Sequence, residues 1–193
     1  MQWIFPNATE NRDAMQMAWY TPTSLAPPPH GRPELADEED EDGMKASVSY
    51  VESLLDDLTS KGIPPNRIVL GGFSQGCALS FLTELTSRYA GKLAGLVGLM
   101  GYLPIPSRLQ QLRAEAELSH VVGGVPYFLA RGGSDRLIPR TRWDESLQQL
   151  KDLGLSAETG LEVHEYQGLG HAVSAELLKD LNVWLEKTLP ALD

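Results

Sequence analysis

The sequence predicts an α/β protein built on a mostly parallel sheet with helices on both faces. Two observations predict it: short runs of continuous apolar residues recur along the chain, and amphipathic segments with helical spacing separate them. A strand that is apolar at every position has both of its faces covered, which marks the parallel sheets of alternating α/β chains. With 193 residues, the chain has the length of one domain, 1–193, with a sizeable core.

The elements follow in order. Gln2-Trp3-Ile4-Phe5 reads as a short strand ending at Pro6-Asn7, and a polar stretch with Trp19 and Tyr20 comes next. The segment from Thr21 to Gly43 carries Pro22, Pro27, Pro28, Pro29 and Pro33 and then the acidic run Asp37 to Asp42. Such a composition buries too little apolar surface to pack as a regular element, so a proline-rich acidic surface loop is expected over about 21–43. The acidic run reads either as a docking patch or as carboxylates that favour the N-terminal dipole of the next helix, and the second reading is preferred. Met44, Val48, Val51, Leu55 and Leu58 step by four and three, which predicts an amphipathic helix over 44–60 ended by Lys61-Gly62. Strands are expected at 68–73, 93–99, 125–130 and 161–166. Helices are expected at 75–90, around Trp143, Leu147 and Leu150, and over Val173, Leu177, Leu181, Trp184 and Leu185.

Composition excludes several classes of function. No apolar run approaches the roughly 20 residues of a membrane-spanning helix. A formal charge of −10 repels phosphate backbones, and no Lys and Arg cluster interleaved with aromatics offsets it, so nucleic acid is not an expected partner. The single cysteine, Cys77, cannot form an internal disulfide. Met1 to Phe5 has neither the basic start nor the long apolar core of a secretory signal, so a reducing, cytoplasmic setting is expected.

In sheets of this kind functional groups gather at the carboxyl ends of strands, in the turns that follow them. Three turns stand out. Gly72-Phe73-Ser74-Gln75-Gly76 directly follows the apolar run Ile68-Val69-Leu70 and reads as a nucleophile elbow. A strand-to-helix turn this sharp strains the serine backbone and crowds its neighbours, so glycines are expected to flank it. Arg131-Gly132-Gly133-Ser134-Asp135 follows the strand ending at Ala130, and Gly168-Leu169-Gly170-His171 follows the strand ending at Tyr166. A serine hydroxyl needs a base that takes its proton and later returns it, imidazole titrates in the right range, and a carboxylate fixes the imidazole tautomer. The order Ser74, Asp135, His171 is the one expected of an α/β-hydrolase. Cys77 is a competing nucleophile, with packing as the preferred role, and His30, His120, His164, Asp144 and Asp152 are weaker candidates. No metal-ligand spacing, phosphate loop or dinucleotide fingerprint is present, so no metal and no cofactor is expected.

The chain resembles the acyl-protein thioesterase and lysophospholipase-like carboxylesterase family of α/β-hydrolases. The resemblance is carried by the phrase from Gly62 through Pro64-Pro65-Asn66-Arg67-Ile68-Val69-Leu70 to Gly76, by Lys92-Leu93-Ala94-Gly95-Leu96, by Gly101-Tyr102-Leu103-Pro104, by Asp135 with Ile138-Pro139, and by Gly170-His171. Details of the proline-rich loop and Trp19-Tyr20 are most similar to fungal members. The resemblance implies a cytosolic hydrolase of thioesters or esters of long acyl chains, S-acylated proteins among its substrates, with Ser74 as nucleophile, His171 as base and Asp135 as its partner. It also implies that the Gln75 amide holds the oxyanion and that Tyr102 and Leu103 line the acyl groove.

The same resemblance implies a departure. Family members begin with a further strand and a His-Gly-Leu-Gly-Asp-like loop that gives a second oxyanion donor, so this chain reads as N-terminally truncated, with exposed edges or a gap in the sheet. Losing one donor costs about 3 to 4 kcal/mol of transition-state stabilisation. The alternative expectation is therefore a catalytically weak or silent domain that binds an acyl group or a protein.

Overall fold

Tyr127–Gly132 (β5) is buried at every residue, and the sheet is organised around it. The computed structural model describes residues 1–11, 13–23 and 38–189. In chain order the elements are β1 (Glu10–Asn11), β2 (Gln16–Met17), α1 (Glu41–Ser60), β3 (Val69–Phe73), α2 (Gln75–Thr86), β4 (Gly95–Leu99), α3 (Leu109–Glu115), β5, α4 (Arg140–Asp152), β6 (Leu161–Tyr166) and α5 (Ala175–Thr188). A parallel four-stranded sheet runs β3-β4-β5-β6, and β1 and β2 form a separate antiparallel pair.

Alternation along β5 explains why helices cover both faces. Tyr127 and Leu129 pack with Cys77, Phe81 and Leu85 of α2 and with Trp143 and Leu150 of α4. Phe128 and Ala130 point the other way, into Leu177, Leu181, Trp184 and Leu185 of α5. Burying an aromatic such as Phe128 stabilises the fold by about 1.5 to 3 kcal/mol. The amphipathic face of α1 meets α2 instead of the sheet centre: Met44 lies with Ala78 and Leu82, and Val51 and Leu55 with Leu79 and the flank of Leu70. Among the described residues no helix is long and apolar enough to cross a membrane.

Most expected elements form, with shifted ends. The strands predicted from 93 and 125 start at Gly95 and Tyr127, because Leu93 and Val125 are buried in turns, a burial that apolarity alone cannot distinguish from a strand. The last helix starts after Val173, since Ser174 caps it by accepting a hydrogen bond from the Leu177 N–H at 3.1 Å. Described residues of the acidic run are used inside the fold. Asp40 caps α1 by accepting from Gly43 N–H at 2.9 Å, and it also takes the Thr21 N–H at 2.7 Å. Glu39 accepts from Ile105 N–H at 2.9 Å, and Arg108, helped by Lys45, holds the Glu41 carboxyl down to about 2. Of the loop expected over 21–43, residues 24–37 lie outside the described residues.

One expected strand does not form. Gln2–Phe5 pairs with none of the described strands, and Trp3, Ile4 and Phe5 are 60%, 51% and 82% exposed. A short apolar run becomes a strand only when a partner supplies backbone hydrogen bonds, and local composition does not name that partner.

The core also holds a polar cluster that the sequence pattern did not reveal. Glu84 is fully buried on α2; its Oε1 accepts from Gly91 N–H at 2.9 Å, and among the described residues its Oε2 has no partner. Arg113 Nη1 donates to Leu85 O at 2.6 Å and Nη2 to Ser119 O; among the described residues its Nε and the Tyr127 hydroxyl have no partner. Burial pushes the Glu84 carboxyl up to about 7, against the opposing pull of the Gly91 amide and the Arg113 charge. The folded state therefore binds the extra proton between the ordinary value of 4.5 and about 7. Stability is greatest below that window and falls as pH rises through it, by an amount on the order of 3 kcal/mol. Glu84→Gln should remove this slope. Thermal unfolding should show little change at about pH 5 and a gain on the order of 5 °C at about pH 8; an equal shift at both pH values would contradict the account.

Candidate active site

Ser74 joins β3 to α2 with φ 55° and ψ −118°, a backbone region that non-glycine residues avoid. The surroundings enforce it. A Cβ on Gly72 would lie 2.0 Å from the carbonyl carbon of Gly76, so only glycine lets the helix start this close to the strand it leaves. Gly98 and Gly101 give the same access on the β4 side, where added Cβ atoms would sit 3.0 Å and 2.6 Å from Cys77 Sγ. Ser74 N–H then donates to Leu99 O at 2.9 Å and fixes the turn to the neighbouring strand. The expectation that both flanking glycines relieve crowding is half right: a Cβ on Gly76 would meet nothing within 4 Å.

Gln75 is the first residue of α2, so its N–H has no acceptor within the helix and sits at the positive end of the helix dipole. Its side chain is held away from the serine: Oε1 accepts from Trp19 N–H at 3.2 Å, and Nε2 donates to Tyr20 O at 2.9 Å. This clamp fastens the N-terminal segment to the elbow.

The loops after β5 and β6 are tied together by backbone. Gly133 N–H donates to Tyr166 O at 2.8 Å and Ser134 N–H to Leu169 O at 2.9 Å. A Cβ on Gly132 would fall 2.3 Å from Leu169 O and 2.4 Å from Gly170 O. Sequence reasoning missed Gly132 as a positioning residue, although a Gly-Gly pair at a strand end was a readable signal. Asp135 Oδ2 lies 2.8 Å from His171 Nδ1, and its Oδ1 accepts from Leu137 N–H at 2.8 Å and Ile138 N–H at 3.1 Å. The Asp135 side chain is 2% exposed and that of His171 13%, so this carboxylate–imidazole contact is nearly dry. With Nδ1 donating to the carboxylate, Nε2 is left as the acceptor.

The imidazole packs on Phe73, ring centroids 4.8 Å apart, which sets it beside the residue that precedes Ser74. Among the described residues no hydrogen bond joins Ser74 Oγ to His171 Nε2. The structure thus brings Asp135 and His171 into direct contact and sets the ring next to the elbow.

The remaining candidates separate cleanly. Cys77 is fully buried, and burial drives its thiol well above the ordinary range, so it is an inert packing residue. His164 stacks on Phe128 at 4.6 Å, His120 lies 3.4 Å from Gln110, Asp144 pairs with Arg140 at 3.0 Å, and Asp152 accepts from Gln148 at 2.8 Å. His30 lies outside the described residues. Tyr102 and Leu103, expected to line the acyl groove, are both buried. Leu103 belongs to the core cluster with its N–H on Ser146 Oγ at 2.8 Å, and Tyr102 is buried against Tyr20 and Glu39. A cavity of about 260 Å³ lies elsewhere, between α1, α2 and α3, against Met44, Val48, Leu82, Ile105 and Leu112.

A parallel sheet with a strained serine elbow after one strand, a carboxylate loop after another and a histidine loop after the last defines an α/β-hydrolase of the serine-hydrolase class. Comparison with known proteins makes this particular. Residues 1–189 match the phospholipase/carboxylesterase family, and the chain belongs to that family. It is 35% identical over 200 residues to acyl-protein thioesterase 1 of Aspergillus fumigatus, covering 98% of this chain and 77% of the relative. The Emericella nidulans acyl-protein thioesterase 1 is 34% identical over 197 residues, covering 97% and 77%. Among solved structures, Arabidopsis thaliana SOBER1 superposes with a TM-score of 0.76 at 25% identity, over 97% of this chain and 83% of that one. Zea mays acyl-protein thioesterase 2 does so with a TM-score of 0.73 at 25% identity, over 97% and 81%. The chain is a hydrolase of the esterase and thioesterase type.

The crowding at the elbow gives a test. Gly72→Ala should cost at least about 3 kcal/mol in urea unfolding or prevent folding, since backbone atoms cannot move aside. Gly76→Ala should be neutral or gain up to about 1 kcal/mol from helix propensity. Similar losses for both variants would show that the contact at Gly72 is not what shapes the turn.

Proposed function

We propose that this chain hydrolyses acyl thioesters and carboxylic esters, S-acylated proteins among them, through an acyl-enzyme formed on Ser74. The observation that carries the proposal is the buried Asp135–His171 contact at 2.8 Å with the imidazole packed on Phe73, next to the strained serine. In this reading His171 Nε2 takes the Ser74 proton as Oγ attacks the acyl carbonyl. Asp135 keeps the proton on Nδ1 and stabilises the imidazolium. The Gln75 N–H receives the developing oxyanion, favoured by the start of α2. Collapse of the tetrahedral intermediate expels the thiol or alcohol, which leaves with the proton from Nε2. Water, deprotonated by the same nitrogen, then releases the fatty acid and restores Ser74.

The acylated-protein substrate is supported by the names of the fungal relatives, acyl-protein thioesterase 1. A cytoplasmic setting fits a lone buried cysteine and a charge of −10.

A fluorophosphonate probe should label the wild type and not Ser74→Ala, and equal labelling of the two would overturn the assignment. In turnover of an S-palmitoylated peptide and a p-nitrophenyl ester, His171→Ala should lower kcat by at least about a thousandfold. Asp135→Asn should lower it by about ten-thousandfold, because the amide reverses the hydrogen bond that sets the tautomer. Full activity in Asp135→Asn would remove Asp135 from the mechanism.

A further inference from the structure

The serine turn and the acid–base loops meet at one strand end. Leu99, the last residue of β4, accepts the Ser74 N–H at 2.9 Å. The next residue, Met100, holds the other flank: its N–H donates to Ala130 O at 2.8 Å, and its thioether sulfur accepts the Gly132 N–H at 2.9 Å. Neighbouring residues of one chain segment therefore carry both halves of the site.

The sulfur stands where a carbonyl would be expected. Leu96 N–H donates to Pro126 O and Met100 N–H to Ala130 O, so the even-numbered residues of β4 and β5 turn their backbone groups to one another. The next rung of that ladder would run from Gly132 N–H to Met100 O. Met100 has φ 49°, a left-handed backbone that non-glycine residues seldom adopt, and the chain leaves the ladder there. Its own side chain takes the Gly132 N–H in place of the lost oxygen. A buried N–H left unpaired is costly, and a thioether, though a weak acceptor, is flexible enough to reach the end of an interrupted ladder. The side chain is 1% exposed and packs with Phe128, Ala130, Tyr166 and Leu177, which fixes the sulfur in place.

The peptide that the sulfur holds is the one that leads to the acid. Gly132 O accepts the Asp135 N–H at 3.1 Å, a Cβ on Gly132 would lie 2.3 Å from Leu169 O, and Asp135 Oδ2 meets His171 Nδ1 at 2.8 Å. A shift of Gly132 toward or away from β4 would carry Asp135 and His171 together relative to Ser74. We propose that Met100 is a positioning residue of the hydrolytic site: its sulfur, acting through Gly132, sets the distance of the Asp135–His171 pair from the serine turn anchored on Leu99, a role that rests on the assignment of Ser74, Asp135 and His171 to hydrolysis. Met100 acts through the backbone and not on the acyl group, so its effect falls on the rate of the chemical step.

Two variants separate positioning from packing. Met100→Leu conserves volume and removes the acceptor, whereas Met100→Gln keeps an acceptor at similar reach and buries amide donors in an apolar cluster. Met100→Leu should melt close to the wild type yet lose about 10- to 100-fold in kcat toward a p-nitrophenyl ester, with KM changed less than about twofold. Met100→Gln should melt lower yet keep kcat within about threefold of the wild type. In NMR hydrogen exchange, the Gly132 amide, measured against the Leu129 amide of the same strand, should exchange about tenfold faster in Met100→Leu and be unchanged in Met100→Gln. Full kcat in Met100→Leu, or a kcat that follows melting temperature so that the Gln variant is the slower of the two, would overturn the proposal. Equal relative exchange of Gly132 in all three proteins would overturn it as well, and that measurement needs no turnover. Wild-type turnover that survives Ser74→Ala would instead overturn the assignment on which the role of Met100 rests.

Discussion

The site depends on one approach of backbone to backbone: Gly72 passes so near Gly76 that no side chain fits between them. That contact lets α2 begin immediately after β3, forces Ser74 to φ 55° and lifts its hydroxyl off the sheet. The strain is sustained because neighbouring parts over-determine it. Gly98 and Gly101 bring β4 against Cys77, the Ser74 amide is fixed to Leu99, and Gln75 is clamped by the Trp19-Tyr20 backbone. Each acts on the same turn from a different side.

A second close approach does for the acid and base what the first does for the serine. Gly132 lets the loop after β5 lie against the carbonyls of Leu169 and Gly170. Two backbone hydrogen bonds then hold the Asp135 and His171 loops as one unit. Because β5 and β6 are paired from Tyr127–Leu161 to Gly132–Tyr166, the loops start level with one another at the sheet rim. Asp135 spends one oxygen on its own turn and the other on the imidazole, so burial of the carboxylate leaves neither oxygen unsatisfied.

Elsewhere the molecule tolerates costs that the site does not. The Glu84, Arg113 and Tyr127 cluster leaves polar atoms unpartnered in the core, and burial, more than any partner, sets the Glu84 proton affinity. Among the described residues, β3, the strand that carries the elbow, pairs on one side only, with β4.

Alternating apolar runs and amphipathic spacing were enough to read the parallel α/β sheet, and the helix at 44–60 was legible because Met44, Val51 and Leu55 repeat at the period of a buried face. The Ser-Asp-His order was legible because each residue follows a strand, a one-dimensional property. Pairing and direction of burial were not legible. Gln2–Phe5 has strand composition without a strand partner among the described residues, Tyr102 and Leu103 are buried, and Gly76 faces open space while Gly132, in the Asp135 turn, is sterically indispensable. Sequence by itself determined periodicity and the chemical types at strand ends, since both are local. Only the tertiary structure decided which backbones touch, because a contact between Gly132 and Leu169 depends on how β5 and β6 register across a helix and a loop.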